Sequence, residues 1–154
     1  MAILKIPDDF YEPTYGLIAI HSYKEDYQIA YFLNVHLKTN LKRMPFSIEL
    51  DNRFSFSLYE WEDIYKEVRW NLIANVSIDE QEINETKGLF KGTNTLVKNY
   101  LIPEYRKADY FLKIENGEML DMKPIIEKIN NIPQIATAYT VYTNKLKSKN
   151  NLIF

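Results

Sequence analysis

The sequence predicts an α+β domain: a ferredoxin-like antiparallel sheet with additional meander strands and two helices packed on one face. Three observations carry this. The segment YGLIAIH, Tyr15–His21, is an unbroken apolar run of strand length. Residues 46–76 alternate apolar and polar side chains. Two further segments, one after Ser22 and one over 119–131, repeat apolar residues at helical spacing. The resulting order is strand, helix, a run of antiparallel strands, then strand, helix, strand, which is most simply satisfied by two amphipathic helices lying on a mainly antiparallel sheet.

The first strand lacks polar interruption, as a strand covered on both sides requires, so it is placed at the centre of the sheet. Ser22 followed by Glu25 has capping-box spacing and is expected to start the first helix. Ile29, Leu33 and Leu37, with Ala30, Phe32 and His36 beside them, form its buried face, so His36 is expected as a partly buried imidazole. Asp26 complements the positive end of the helix dipole, and the pattern ends near Asn40. Phe46, Ile48 and Leu50, a turn at Asp51 and Asn52, then Phe54, Phe56 and Leu58 describe a hairpin. Tyr59 and Trp61 fall on the opposite face, Glu62 and Asp63 mark a second turn, and 68–76 is a third strand of the meander.

Residues 77–94 are polar, contain Gly88 and Gly92, and are expected as a long loop. Residues 96–102 read as a strand stopped by Pro103, which has no N–H for an interior ladder. Residues 109–115 form a strand that turns at Asn116 and Gly117 into a helix over 119–131, with Leu120, Ile125, Ile126 and Ile129 at helical spacing and Pro124 in its first turn. Residues 134–142 close the sheet, and 144–154 follow as a C-terminal tail. The stretch 108–142 resembles the βαβ half of small regulatory ligand-binding domains of the ACT kind.

With 154 residues the chain fits one domain, 1–154, and its 46% hydrophobic content supplies a core that folds without help. No apolar run reaches the ~20 residues of a membrane span, and the first eight residues lack the apolar core of a signal peptide. Cys is absent, which removes disulfides, thiolate nucleophiles and cysteine-based zinc sites, and fits a cytoplasmic location. A net charge of -2 argues against a field for nucleic acid, although Lys38, Lys42 and Arg43 form a local cationic group, as do Lys145, Lys147 and Lys149.

The string IPEYRKADY over 102–110 resembles the signature of the bacterial IPExxxVDY family; LIAIHSYKEDYQIAYFLN, YEWED, RWNLIAN and KNNLIF look similar too. Ala108 stands where the pattern has Val. The resemblance covers nearly the whole chain and carries no activity with it. Physically, Ile102 and Pro103 end a strand, Glu104 is expected to accept N–H groups of the following turn, and Asp109, before Tyr110, does the same at the next strand. The alternative is that Glu104 and Asp109 converge as a paired-carboxylate site.

Catalytic motifs are absent: there is no phosphate loop, nucleophile elbow or metal-spaced histidine pair, and no cofactor or metal is expected. His21 stands at a strand end directly before a helix N-terminus, where an anion could bind. The aromatic share, 14%, is the compositional excess. Aromatics pack well on pleated surfaces, which accounts for strand rings such as Tyr59, Trp61 and Trp70 on the meander; if helices cover one face only, these rings instead form a surface for a partner. Leu152, Ile153 and Phe154 at the C-terminus need cover, from this domain's own sheet or helix or from a second copy or partner. The expected function is therefore non-enzymatic protein–protein contact, as a homodimer joined across sheet faces or edges. One alternative is an ACT-like regulatory module with a small-molecule ligand at Asn116, Gly117 and Glu118. The other is an RNA-binding module using Tyr59, Trp61 and Trp70 with Lys42 and Arg43, disfavoured by Glu60, Glu62, Asp63 and Glu67 nearby.

Overall fold

The computed structural model describes residues 15–82, 94–115 and 120–154. In chain order its elements are β1 (Tyr15–His21), α1 (Asp26–Leu37), β2 (Lys42–Arg43), β3 (Ile48–Leu50), β4 (Phe54–Phe56), β5 (Leu58–Asp63), β6 (Val68–Ala74), β7 (Val76–Glu82), β8 (Asn94–Tyr100), β9 (Tyr110–Glu115), α2 (Met122–Asn130) and β10 (Thr137–Thr140). Six strands form one sheet in the order β10-β1-β9-β6-β5-β2, with every pairing antiparallel. The pairs β3-β4 and β7-β8 stand apart as two-stranded ribbons. The chain is thus mixed α+β, with a mostly antiparallel sheet and two helices.

Alternation along the strands divides the apolar side chains between two cores. Ile18 and Ile20 of β1, Tyr110, Leu112 and Ile114 of β9, and Trp70 and Leu72 of β6 pack with Ile29, Ala30 and Leu33 of α1 and Ile129 of α2. Leu17, Ala19, Phe111, Ile73 and Leu58 point the other way. They meet Phe54 and Phe56 of the β3-β4 ribbon, Leu101, Ile102, Ala108, Val141, Leu146 and Leu152. The same polypeptide therefore covers both faces, and the expectation of an open second face is wrong.

Several local expectations change with it. Phe54, Phe56 and Leu58 keep one alternation phase, yet the chain rejoins the large sheet only after Ser57, so the β3-β4 hairpin folds across the second face instead of forming part of a meander. Asp51 and Asn52 do form its turn, both at positive φ, a conformation these short polar side chains tolerate. The turn expected at Glu62 and Asp63 starts one residue later, where the Asp63 carboxylate accepts the N–H groups of Tyr65 and Lys66. Residues 77–94 are no simple loop: β7 runs to Glu82 and β8 begins at Asn94, with 83–93 outside the described residues. In the C-terminal tail 144–154, short 3-10 turns at Thr143–Lys145 and Lys149–Leu152 accompany burial of Leu146 and Leu152 in the domain's own second core, while Ile153 and Phe154 stay exposed.

Asn75 separates β6 from β7 and is fully buried. Its amide donates to the carbonyls of Tyr105 (2.9 Å) and Ala108 (2.8 Å) and accepts the N–H of Ile102 (2.8 Å). Its own N–H reaches the Asp109 carbonyl and its carbonyl takes the Leu101 N–H, each at 2.9 Å. Five bonds thus hold 101–109, a stretch with no ladder of its own, against the second face. Asn34 acts similarly after α1, accepting from Leu41 N–H and Thr39 Oγ1 and donating to the Leu41 carbonyl.

Both edges of the sheet are blunted. The Asn130 amide accepts the N–H of Ala138 at 2.8 Å and donates to its carbonyl at 3.0 Å, occupying outward backbone groups of the edge strand β10. The opposite edge, β2, is two residues long and bears Lys42 and Arg43. Short, charged or occupied edges resist strand addition.

Asn75→Ala leaves two buried carbonyls and one N–H unpaired and is expected to cost about 3 kcal/mol or more. Asn75→Asp, which sets a carboxylate against those carbonyls, costs more at neutral pH and recovers part of the loss in acid. Urea midpoints measured at two pH values check both.

Candidate functional site

The site starts where the motif meets the first helix. Ser22 is not the cap expected of it. The N-cap is Glu25, whose side chain accepts the N–H of Gln28 while Gln28 Oε1 accepts the Glu25 N–H. Ser22 instead turns the chain toward that cap: its Oγ donates to the Gln134 carbonyl at 2.7 Å and accepts the Lys24 N–H at 3.1 Å. Two motif residues then fix the approach. Asp109 accepts the Ser22 N–H at 2.8 Å, and the Tyr110 hydroxyl donates to the Lys24 carbonyl at 2.6 Å. Burial, followed by the negative charges of Asp26, Asp109 and Glu25, raises the Tyr110 phenol well above its ordinary range, so it stays a donor.

The other motif residues serve a different junction. Ile102 is buried in the second core. Pro103 opens the 3-10 turn Pro103–Tyr105. Glu104 accepts both the N–H (3.1 Å) and the hydroxyl (2.6 Å) of Ser148, not the turn that follows it. Burial pushes the Glu104 carboxyl upward, but the Ser148 hydrogen bonds outweigh it and leave the group below its ordinary value. Glu104 and Asp109 therefore bind to different segments and do not form a carboxylate pair. Among the described residues no group of three or more His, Asp or Glu is arranged to hold a metal ion.

α1, held in this way, presents an unusual outer surface. Its exposed residues are Tyr27 (58%), Tyr31 (63%), Val35 (55%) and His36, and Tyr23 (85%) precedes it at the same four-residue spacing. α2 on the same layer instead exposes Lys123, Glu127 and Lys128. A helix with apolar residues on both its inner and outer sides is normally covered on both. Sequence reasoning found the inner stripe and missed this one; the signal was a second set of large residues at four-residue intervals, offset from Ile29, Leu33 and Leu37.

Beside the approach to α1 lies a cavity of about 540 Å³. Glu25, Asp26 and Asp109 supply carboxylates to its wall, and Ser55, Ser57 and Ser77 supply hydroxyls. Asp26 and Asp109 already accept backbone N–H groups, whereas the buried Ser57 hydroxyl has no hydrogen-bond partner.

His21 is not at this cavity: its Nε2 lies 2.8 Å from the Tyr139 hydroxyl, on the second face. His36 is exposed, not partly buried. Asn116, Gly117 and Glu118 lie outside the described residues. Tyr59 and Trp70 are buried in the helix-side core, and Trp61 packs against it with its ring 6.3 Å from that of Trp70. These rings offer no open stacking platform. Arg43 is engaged with the Met44 and Leu58 carbonyls and Ser47 Oγ.

At the C-terminus Leu152 is buried, while Ile153 and Phe154 are exposed. The Leu152 carbonyl accepts from Nζ of Lys113, a buried residue whose ammonium lies 4.8 Å from the Tyr15 ring centroid and 4.5 Å from that of Phe154. Burial lowers the Lys113 pKa, with Glu115 raising it and Arg69 lowering it further. Because the unfolded chain then binds more protons, this lysine makes stability rise as pH climbs toward the free-lysine value of about 10.4. Lys113→Met is expected to be within about 1 kcal/mol of wild type at neutral pH and to lack that rise, as thermal unfolding across pH will report.

Against this geometry, no family model, no curated protein and no solved structure matches the chain.

Proposed function

We propose that this protein works through protein–protein contact, without catalysis of its own, and that the contact surface is the outer side of α1. The observation that carries the reading is the row Tyr27, Tyr31 and Val35, each more than half exposed on a helix whose inner side is already buried. Large aromatic residues supply contact area at small cost in side-chain entropy, and they are enriched at the centres of interfaces. With sheet faces covered and edges blunted, this helix face is the surface best suited to a partner. The sheet order β10-β1-β9-β6 with its two helices supports reading the core as ferredoxin-like, with β2–β5 and the β7-β8 ribbon as additions. The IPExxxVDY-like string fits the same picture as a scaffold, since Asp109 and Tyr110 hold the approach to α1.

Tyr27→Glu/Tyr31→Glu tests the reading. Both sites are exposed, so the purified variant is expected to unfold within a few degrees of wild type. In extract of cells that make it, wild type is expected to elute in a larger assembly and the variant at the position of the single chain. Wild type eluting alone from extract, with the purified chain also monomeric at several hundred µM, overturns the proposal.

A second reading, a small-molecule-binding regulatory module, is supported by the cavity near the start of α1 with its partnerless Ser57 hydroxyl. Its carboxylate-rich wall suits a cationic, hydroxyl-bearing ligand. A thermal-shift screen of amino acids, polyamines and aminosugars is expected to raise the midpoint by several degrees for one of them, with the rise lost in Ser57→Val. A flat screen removes this reading.

A further inference from the structure

Resting on the contact reading above, we infer that the partner seated on α1 is a second copy of this chain, docked with its α1 antiparallel about a two-fold axis passing at Tyr31. A two-fold axis requires a surface complementary to itself. The row Tyr27, Tyr31, Val35 is centred on Tyr31, so the axis sets Tyr31 against its own copy and Tyr27 against Val35 of the second copy. That places a large side chain opposite a small one on both sides of the axis.

Charge selects the same direction. Exposed Glu25 and half-buried Asp26 stand at the N-terminal end of the helix, and exposed Lys38 closes its C-terminal end next to His36. Lys24, the one cation at the first end, lies over the Tyr23 ring at 5.2 Å. Antiparallel docking brings the two acids of one copy toward Lys38 of the other and opposes the two helix dipoles favourably. A parallel arrangement puts acid against acid. A single helix face buries less than the ~800 Å² per partner of a standard interface, so the dimer is expected to dissociate in about the micromolar range.

The absence of cysteine makes the register directly testable. Packed helix axes lie ~8–10 Å apart, which brings facing Cα atoms within disulfide reach. Sedimentation equilibrium of the intact wild-type protein from about 1 µM to several hundred µM is expected to show a monomer–dimer equilibrium. Single variants Tyr27→Cys, Tyr31→Cys and Val35→Cys are then oxidised with diamide, which accepts the two thiol hydrogens as the S–S bond forms. Tyr31→Cys is expected to cross-link with itself about tenfold faster than either neighbour does, whereas Tyr27→Cys and Val35→Cys cross-link efficiently only when mixed. Self-cross-linking of Tyr27→Cys and of Val35→Cys without the mixed product overturns the antiparallel register. A wild-type chain that stays monomeric throughout overturns the second copy as occupant. Should the larger assembly in cell extract still depend on Tyr27 and Tyr31, the contact reading stands while this inference falls; should it not, both fall.

Discussion

The amide of Asn75 is the point on which the second half of the structure depends. A six-stranded sheet whose central strands are apolar on both sides must be covered twice. Two helices satisfy their own backbone groups while covering one face. The second cover is built from irregular segments, and a buried irregular backbone needs partners for groups that no ladder supplies. Asn75 provides two donors and one acceptor from its side chain, and its main chain adds one of each. Asn34 and Asn130 repeat the device at the end of α1 and at the outer edge of β10. A primary amide offers two N–H donors and a separate carbonyl acceptor in one small planar group.

Much of the first layer was legible in the sequence because its signals are local. The run over Tyr15–His21 gave β1 with its bounds, Asp51 and Asn52 located the hairpin turn, and the spacing of Ile125, Ile126 and Ile129 located α2. The second layer was not legible, for two physical reasons. Alternation over Phe54, Phe56 and Leu58 is the same whether the chain stays in the sheet or folds over it. The bonds of Asn75 join residues 26 to 34 positions apart, and no pattern of neighbours encodes them. The candidate surface suffered from a different problem. Aromatic residues of the middle third looked like surplus only while they were assigned to a bare face; Tyr59 and Trp70 lie on the face that the helices cover and are ordinary core, and the unexplained rings are those of Tyr27 and Tyr31.

The string over residues 102–110 changes its meaning in the same way. In one dimension it suggests local caps at a turn and a strand entrance, with paired acids as the alternative. In three, Asp109 and Tyr110 tie the approach to α1, while Glu104 ties Ser148 and so the segment that carries Leu152. A short stretch thereby joins the helix-side layer, the sheet and the C-terminal segment, which gives its residue types structural reasons that require no chemistry.

The strand order has a consequence for the birth of the molecule. β1 emerges from the ribosome early, yet its two neighbours are β9 and β10: Tyr15 pairs with Glu115, and Ile18 with Thr140. Until nearly the whole chain has been synthesised, the most apolar segment has nowhere to go. Such long-range closure slows folding and leaves an apolar strand without its pairing partners until late in synthesis.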